Sequence, residues 1–321
     1  MKYLVVGGAG FIGSEAVRQL VELGHDVHVI DSLTYAGNLL SLESVKSNIK
    51  FYQVDISKNS ALENIFSAEN FDGILNFAAE THVDNSILSP SEFIQTNIVG
   101  TFNLLSIARK LQCRILQIST DEVYGSIDFG TFNEHDLLNP SSPYSGSKAA
   151  AEMLVMSYFK TYKVKSLIVR CSNNYGPFQH PEKLIPSFIS KAYLNKKLPL
   201  YGTGSNIREW IHVTDCVKAI ISVLQKGELG NVYNVSSGEF KSNLEITFEI
   251  LKILNKSENL IEYVEDRLGH DYRYAVNSSK LRTQLQWKPE INFSNGLEST
   301  VDWYIKNQKF IDKSKRFSHV L

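Results

Sequence analysis

Gly7-Gly8-Ala9-Gly10-Phe11-Ile12-Gly13 decides the fold. An apolar run over 3–6 leads straight into it and an amphipathic stretch over 14–23 follows, so it reads as strand, tight turn and helix start. Gly7 permits the turn, Gly10 lets the main chain approach a pyrophosphate, and Gly13 lets helix and strand pack closely. The helix start adds N–H groups and partial positive charge for phosphates. Any sharp strand-to-helix turn can use such glycines, so the second signal matters. Asp31 closes the next strand, 18 positions after Gly13. A carboxylate there accepts hydrogen bonds from ribose hydroxyls and repels a 2′-phosphate, which favours NAD over NADP.

Outward from this turn, β-rich runs over 3–6, 27–30, 49–54, 74–77, 114–119 and 166–170 alternate with helical patterns, among them 14–23, 96–111 and 145–162. That rhythm predicts an α/β fold with a doubly wound parallel sheet of the Rossmann type. After Cys171 the rhythm loosens and Pro177, Pro181, Pro186 and Pro199 appear, marking a smaller C-terminal substrate-binding domain. We therefore divide the chain into a NAD-binding domain over 1–175 and a smaller domain over 176–321. Runs at 211–213 and 232–235 look like short returns toward the main sheet, so the first domain regains the segment near 211–236. A helix is expected over 244–254. From Gln308 on, Lys313, Lys315 and Arg316 suggest a solvated end.

The chain has 321 residues and a formal charge of -1, a balance that argues against nucleic acid or an anionic membrane as partner. No apolar run approaches the ~20 residues needed to span a bilayer. Met1-Lys2 enters the first strand at once, without the layout of a signal peptide, so a cytoplasmic protein is expected. Cys113, Cys171 and Cys216 lie far apart in sequence, which suggests buried thiols and neither a metal site nor a disulfide frame.

Tyr144-Ser145-Gly146-Ser147-Lys148 sets a phenol and an ammonium four residues apart on one face of a helix start. A cation nearby stabilises phenolate and would bring the tyrosine toward service as a base. With 15 tyrosines in the chain the spacing alone arises by chance, and Tyr193 with Lys197 repeats it in the looser second half. Tyr144 is preferred because it follows the strand end Ser119-Thr120. Thr120-Asp121-Glu122 is more specific, because strand ends at the carboxyl edge of a parallel sheet face the ligand crevice. Adjacent acids there can divide labour, one protonating a leaving hydroxyl and the other removing a carbon-bound proton. Asn76, Ala78, Ala79, Glu80 and Thr81 after the fourth strand, with Asn97 in the next helix, are further candidates for the nicotinamide end. Asn97 is unfavourable within a helix, which points to a dedicated hydrogen bond.

At these residues the chain resembles the extended short-chain dehydrogenase/reductases, and among them the dTDP-glucose 4,6-dehydratases. The likeness runs from the glycine turn to about Tyr304. It includes Leu33-Thr34-Tyr35-Ala36-Gly37-Asn38-Leu39, Ala78 to Asp84, Ser119 to Gly125, Ser142 to Lys148, Arg170 to Pro177, Glu182-Lys183-Leu184-Ile185-Pro186 and Asp266-Arg267-Leu268-Gly269-His270-Asp271. The resemblance implies a hydro-lyase that carries NAD and converts a nucleoside-diphosphate hexose to its 4-keto-6-deoxy form. Tyr144 would take the 4-hydroxyl proton, with Lys148 and Thr120 positioning phenol and substrate. Glu122 would remove the C5 proton while Asp121 protonates the departing 6-hydroxyl. Cofactor contacts would come from Gly7, Gly10, Phe11, Ile12, Gly13, Asp31, Ser32, Leu33, Thr34, Asp55, Ile56, Phe77, Ala78, Ala79, Thr96, Tyr144 and Lys148. Substrate contacts would come from Thr81, Asn173, Lys183, Leu184, Arg208, Asn243, Arg267, His270 and Tyr274, the arginines suiting phosphate. Helices 96–111 and 145–162 would pair with their copies in a homodimer.

Two departures bear on the substrate. Asn85 stands where the family commonly has arginine, and Leu268 where it often has proline. UDP-glucose and UDP-N-acetylglucosamine stay open beside dTDP-glucose. A C4 epimerase of the same class would use the same tyrosine, lysine and NAD but needs no acid/base pair for C5 and C6. A non-catalytic nucleotide-sensing protein would be expected to lack Tyr144, Lys148 or the acids, and all are present.

Overall fold

The computed structural model describes residues 1–266 and 269–316. Its centre is a parallel sheet in the order β3-β2-β1-β4-β5-β6-β10, formed by β1 (Lys2–Val6), β2 (Asp26–Asp31), β3 (Ile49–Gln53), β4 (Gly73–Asn76), β5 (Arg114–Thr120), β6 (Ser166–Cys171) and, far along the chain, β10 (Val232–Val235). Both faces are covered, so the strands read as near-continuous apolar runs. Their side chains alternate between two cores. Val5, Val27 and Val29 pack with Ala16, Val17 and Leu20 of α1 (Phe11–Glu22) and with Val217, Ile220 and Leu224 of a later helix over Val213–Lys226. On the opposite face Leu4, Val6, Ile30, Ile74 and Ile115 pack with Leu62 of α2 (Asn59–Ala68) and with two long helices.

The first of these is built in pieces. After the short α3 (Val83–Leu88), α4 (Pro90–Phe93) runs into a π-helical stretch, Ile94–Gly100, and then into α5 (Thr101–Leu111). The expected helix over 96–111 thus begins earlier and carries a π turn, a device frequent at functional sites. The second long helix, α6 (Pro143–Tyr162), starts with a capping box between Ser142 and Ser145.

A third apolar core stands apart from the sheet, with Tyr175, Ile185, Phe188, Leu198, Trp210, Ile246, Phe293, Leu297 and Tyr304. Its elements are β7 (Asn173–Tyr175), α7 (Leu184–Tyr193), β8 (Leu198–Tyr201), β9 (Ile207–His212), β11 (Phe240–Ser242), α9 (Asn243–Ile253), β12 (Ile261–Val264) and α11 (Phe293–Lys306). The helix over Val213–Lys226 is α8 and Ser279–Leu285 is α10. Here the sequence reading needs correction. The run at 211–213 does not return to the main sheet: β9 pairs with β7 and β11 in a small separate sheet, and Val213 opens α8. The run at 232–235 does join the main sheet, beside β6. The tail is not simply solvated either. Gln308–Arg316 forms α12, and Phe310 and Ile311 are buried in the third core. Two apolar residues among lysines give little signal until Phe178 and Trp303 supply their partners, with Phe310 5.5 and 5.4 Å from those rings.

All three cysteines are buried free thiols, and folding brings Cys171 and Cys216 to 3.5 Å despite their separation in sequence. Among the described residues no helix is long and apolar enough to cross a membrane, and no group of three His, Cys, Asp or Glu residues is placed to hold a metal ion.

Candidate active site

The glycine turn has the geometry a dinucleotide needs. Gly7 has φ +76°, and a Cβ there would meet the main-chain nitrogen of Ala78 at 2.5 Å. A Cβ on Gly13 would lie 2.2 Å from the carbonyl oxygen of Gly7, so helix and turn close up only with glycine. Gly10 caps α1 with no side-chain bond, leaving first-turn N–H groups available to phosphate oxygens. Asp31 accepts hydrogen bonds from the main-chain N–H of Ala9 (2.9 Å) and of Leu33 (2.8 Å). Burial pushes its carboxyl up and these two bonds pull it down. Asp31 therefore ties the turn together and also faces the cleft.

That cleft is lined by Gly7, Gly10, Asp31, Ser32, Thr34, Asp55, Ile56, Phe77, Ala78, Ala79 and Thr96. It is continuous, through Gly7, Gly10, Phe77 and Ala79, with a second cavity lined by Phe11, Ile12, Gly13, Thr81, Thr120, Asp121, Glu122, Tyr144, Lys148, Asn173 and Lys183. Leu33 is the cofactor candidate that lines neither. It holds a left-handed φ of 54° and packs against the first core. Asn76 also lies outside, spending its amide on Gln117 (2.9 Å) and Thr101 (3.3 Å) to join β4 to β5 and the helix. Asn97 has the dedicated bonds expected of it. Presented by the π turn, its side chain accepts from the Glu80 N–H (2.9 Å) and donates to the Glu80 carbonyl (3.1 Å) and to Ser147 Oγ (2.8 Å).

Thr120 ends β5, and Asp121–Tyr124 forms one 3-10 turn after it. The Thr120 hydroxyl accepts from the Glu122 N–H at 3.3 Å and donates to Asp121 Oδ1 at 3.2 Å. Asp121 is 3 % exposed. Burial, then the charges of Glu122 and Glu209, hold its carboxyl well above the usual range, which favours its protonated form. Tyr144 and Lys148 lie one turn apart at the start of α6, both buried. Lys148 Nζ donates to the Ile118 carbonyl at 2.6 Å. Burial lowers this lysine to about 8, against the opposing charge of Glu152. The sequence reading that a neighbouring cation lowers the tyrosine is corrected here. Burial, then the charge of Glu122, push the Tyr144 phenol up, and among the protein's groups it is the Thr120 hydrogen bond that pulls it down. The alternative pair does not compete: Tyr193 is exposed at the end of α7, and Lys197 bonds the Asn259 carbonyl.

The substrate candidates fall into two groups. Thr81, Asn173 and Lys183 line the second cavity, and Lys183 Nζ donates to the Thr81 carbonyl at 3.1 Å. Arg208, Asn243, His270 and Tyr274 do not line it; Asn243 opens α9, and Arg208 and Tyr274 cluster around the segment that carries His270 and Asp271. The Arg208 guanidinium lies 4.3 Å from the Tyr274 ring centre and donates to the carbonyls of Asp271 (2.9 Å) and Tyr272 (3.2 Å). Tyr274 donates to Asp271 at 2.7 Å, and His270 Nδ1 lies 2.6 Å from Asp266. The charge of Arg208 reaches Asp121 and that of Glu122 reaches Tyr274, so this cluster borders the acid pair. Leu184 opens α7 and packs on the third core. Arg267 lies outside the described residues, as does Leu268. Asn85 does not line the cavity; its N–H donates to His82 Nδ1 at 3.3 Å. Lining residues that sequence reading passed over are Ala36, Cys171, Gln179, His180 and Glu182. Tyr35 and His180 meet edge to face at 5.4 Å. Ala36, Cys171 and Glu182 carried a signal only as members of longer family-like stretches, and Gln179 and His180 lay in none of them.

A glycine turn on a helix N-terminus, a cleft-facing aspartate and a buried tyrosine–lysine pair on one crevice define a short-chain dehydrogenase/reductase. A family model described as GDP-mannose 4,6 dehydratase matches residues 4–300, and the chain belongs to that family. It is 48% identical to the low-salt glycan biosynthesis protein Agl12 of Haloferax volcanii over 95% of this chain and 99% of that protein. It is 42% identical to the dTDP-glucose 4,6-dehydratase of Escherichia coli, covering 97% and 95%. The crystal structure of DesIV, a dTDP-glucose 4,6-dehydratase from Streptomyces venezuelae with NAD and TYD bound, matches at TM-score 0.95 and 42% identity, covering 98% of this chain and 100% of that one.

Glu80 gives a prediction that needs no ligand. Burial, then the charges of Glu92, Glu182 and Asp55, raise its carboxyl to about 7. A carboxylate raised on folding contributes stability that is fully present below its unfolded value near 4.5 and is lost as pH rises through about 7. Glu80→Gln keeps the neutral form. It is expected to stabilise the protein by roughly 1–3 kcal/mol at pH 8, after discount for partial exposure, and by little at pH 4.5. Urea midpoints of both proteins across that range check it, and parallel curves would refute it.

Proposed function

We propose that the chain is an NAD-dependent 4,6-dehydratase of a nucleoside-diphosphate hexose, with dTDP-glucose as its substrate. One observation carries the reading: a buried Asp121 stands next to Glu122 in a single turn that shares its cavity with Tyr144. An epimerase oxidises and re-reduces C4 and has no use for such a pair. NAD, when bound, accepts hydride from C4 and returns it to C6. Tyr144 takes the 4-hydroxyl proton, with Thr120 orienting the phenol and Lys148 adding positive charge beside it. The 4-keto group acidifies the C5 hydrogen, Glu122 removes it, and Asp121 protonates the leaving 6-hydroxyl, which departs as water. C5 is then reprotonated, and net redox change is zero. Asn173, Lys183, Leu184, Arg208, Asn243, Arg267, His270 and Tyr274 are assigned to the nucleotide diphosphate, and Thr81 to the substrate beside them.

The same reading divides the chain into a cofactor part, 1–175 with α8 and β10, and a nucleotide-sugar part over the rest of 176–321. It makes the protein a cytoplasmic homodimer. Ile94, Phe102, Met153 and Tyr162 are exposed apolar residues on the two helices that would pair, which supports the assembly. Mass spectrometry of reactions with dTDP-glucose, UDP-glucose and UDP-N-acetylglucosamine, each with NAD, tests the function. Loss of one water from dTDP-glucose in preference to the UDP-sugars is expected. Conversion of a substrate to an isomer of equal mass, without water loss, would replace this reading with an epimerase.

A further inference from the structure

Arg170, on β6, is 4 % exposed and Glu152, on α6, is 0 % exposed, yet they form an ion pair. Arg170 Nε donates to both Glu152 oxygens at 3.1 and 3.0 Å, and Nη2 donates to Oε2 at 2.6 Å. Its remaining nitrogen, Nη1, donates to the Tyr124 hydroxyl at 2.5 Å and to the Glu134 carbonyl at 3.2 Å. The Tyr124 hydroxyl passes the chain on, donating to Asn234 Oδ1 of β10 at 2.9 Å. The Tyr124 ring is stacked on Phe132 at 4.9 Å and 7°, with the guanidinium 4.6 Å from its centre. Burying such a pair is costly, and apolar side chains would hold these elements together at lower desolvation cost. A planar guanidinium with two fixed partners does what apolar contacts cannot, which is to set direction.

The direction it sets joins the two halves of the proposed chemistry. Glu152 lies one turn beyond Lys148 on α6. Tyr124 ends the 3-10 turn that presents Asp121 and Glu122. We propose that Tyr124, oriented by Arg170 and Glu152, is a positioning residue for the elimination step: it fixes the rotation of the Asp121–Tyr124 turn so that both acids face the hexose held by Tyr144. This rests on the dehydratase reading above. Tyr144 and Lys148 do not need Tyr124, because α6 has its own capping box and Lys148 its own bond to Ile118. The 3-10 turn is a single short element, bonded through Thr120 and the Glu122 carbonyl, and its far end is anchored by the Tyr124 side chain.

Tyr124→Phe keeps the ring and its stacking and removes the hydroxyl. With dTDP-glucose deuterated at C4 or at C5, kcat should fall about 10- to 100-fold, the worth of a hydrogen bond to a charged group. KM and dTDP affinity should stay within about twofold. The isotope effect at C5 should grow and that at C4 shrink relative to wild type, because elimination alone has slowed. Arg170→Lys, which keeps the charge but cannot bridge Glu152 and Tyr124 in one plane, should shift the balance the same way. An unchanged kcat, or a fall in which the C4 and C5 effects keep their wild-type ratio, overturns the proposal. Wild type that releases no water overturns the dehydratase reading, and this inference with it; a normal wild type with unmoved isotope effects overturns this inference alone.

Discussion

Tyr144→Phe is expected to lower kcat by about 10²–10⁴-fold, the usual share of a positioned acid–base group, while dTDP still binds within about twofold. Phenylalanine fills the same buried space and keeps the edge-to-face contact with Phe93, 6.3 Å between centres. What it removes is the oxygen proposed to accept the 4-hydroxyl proton. The substituted site has no easy substitute in Lys148 or Asp121: Lys148 is committed to the Ile118 carbonyl, and burial raises the Asp121 carboxyl well above the usual range. Both substrate turnover and any exchange at C5 should therefore stop together. Steady-state rates beside calorimetric binding of dTDP check this. Retained turnover would move the base elsewhere, and binding without turnover in wild type as well would make the chain a sensor of nucleotide sugars.

Glu122→Gln should produce a loss of similar size, about 10²–10⁴-fold, but of a different kind. C4 oxidation uses Tyr144 and should survive, whereas removal of the C5 proton should not. In D₂O the wild-type product is expected to carry solvent deuterium at C5. The variant should form little product, and its recovered substrate should show no exchange there. Glutamine also removes a negative charge that raises both Asp121 and Tyr144. Both groups should titrate lower in the variant, so Tyr144 is not impaired as a base by the change. Loss of C4 chemistry together with C5 chemistry would contradict the division of labour between Tyr144 and the acid pair.

Much of the site was legible because its parts are local. The glycine turn, Asp31 at the end of β2, Thr120-Asp121-Glu122 at the end of β5 and Tyr144 with Lys148 each lie within a few residues, and strand ends of a parallel sheet converge by construction. The Arg208–Tyr274–Asp271 cluster was not legible from spacing, since Arg208 and Tyr274 meet only once β9 and the segment before Asn277 lie side by side. The run at 211–213 was apolar enough for either sheet, and periodicity over three residues cannot choose between them. Asn76 illustrates the opposite error, a polar strand-end residue whose amide is consumed inside the core. The Tyr144 pKa was misjudged because sequence spacing reveals a neighbouring charge but not burial, and burial dominates.

The central claim is that one hydride leaves C4 and returns to C6 of the same hexose while water is lost. The most direct test is NMR of the product formed from dTDP-glucose deuterated at C4, with NAD present and no external reductant. Deuterium is expected on the C6 methyl group of a 4-keto-6-deoxy product. Label remaining at C4 of an isomer, or a methyl group free of label, would contradict it.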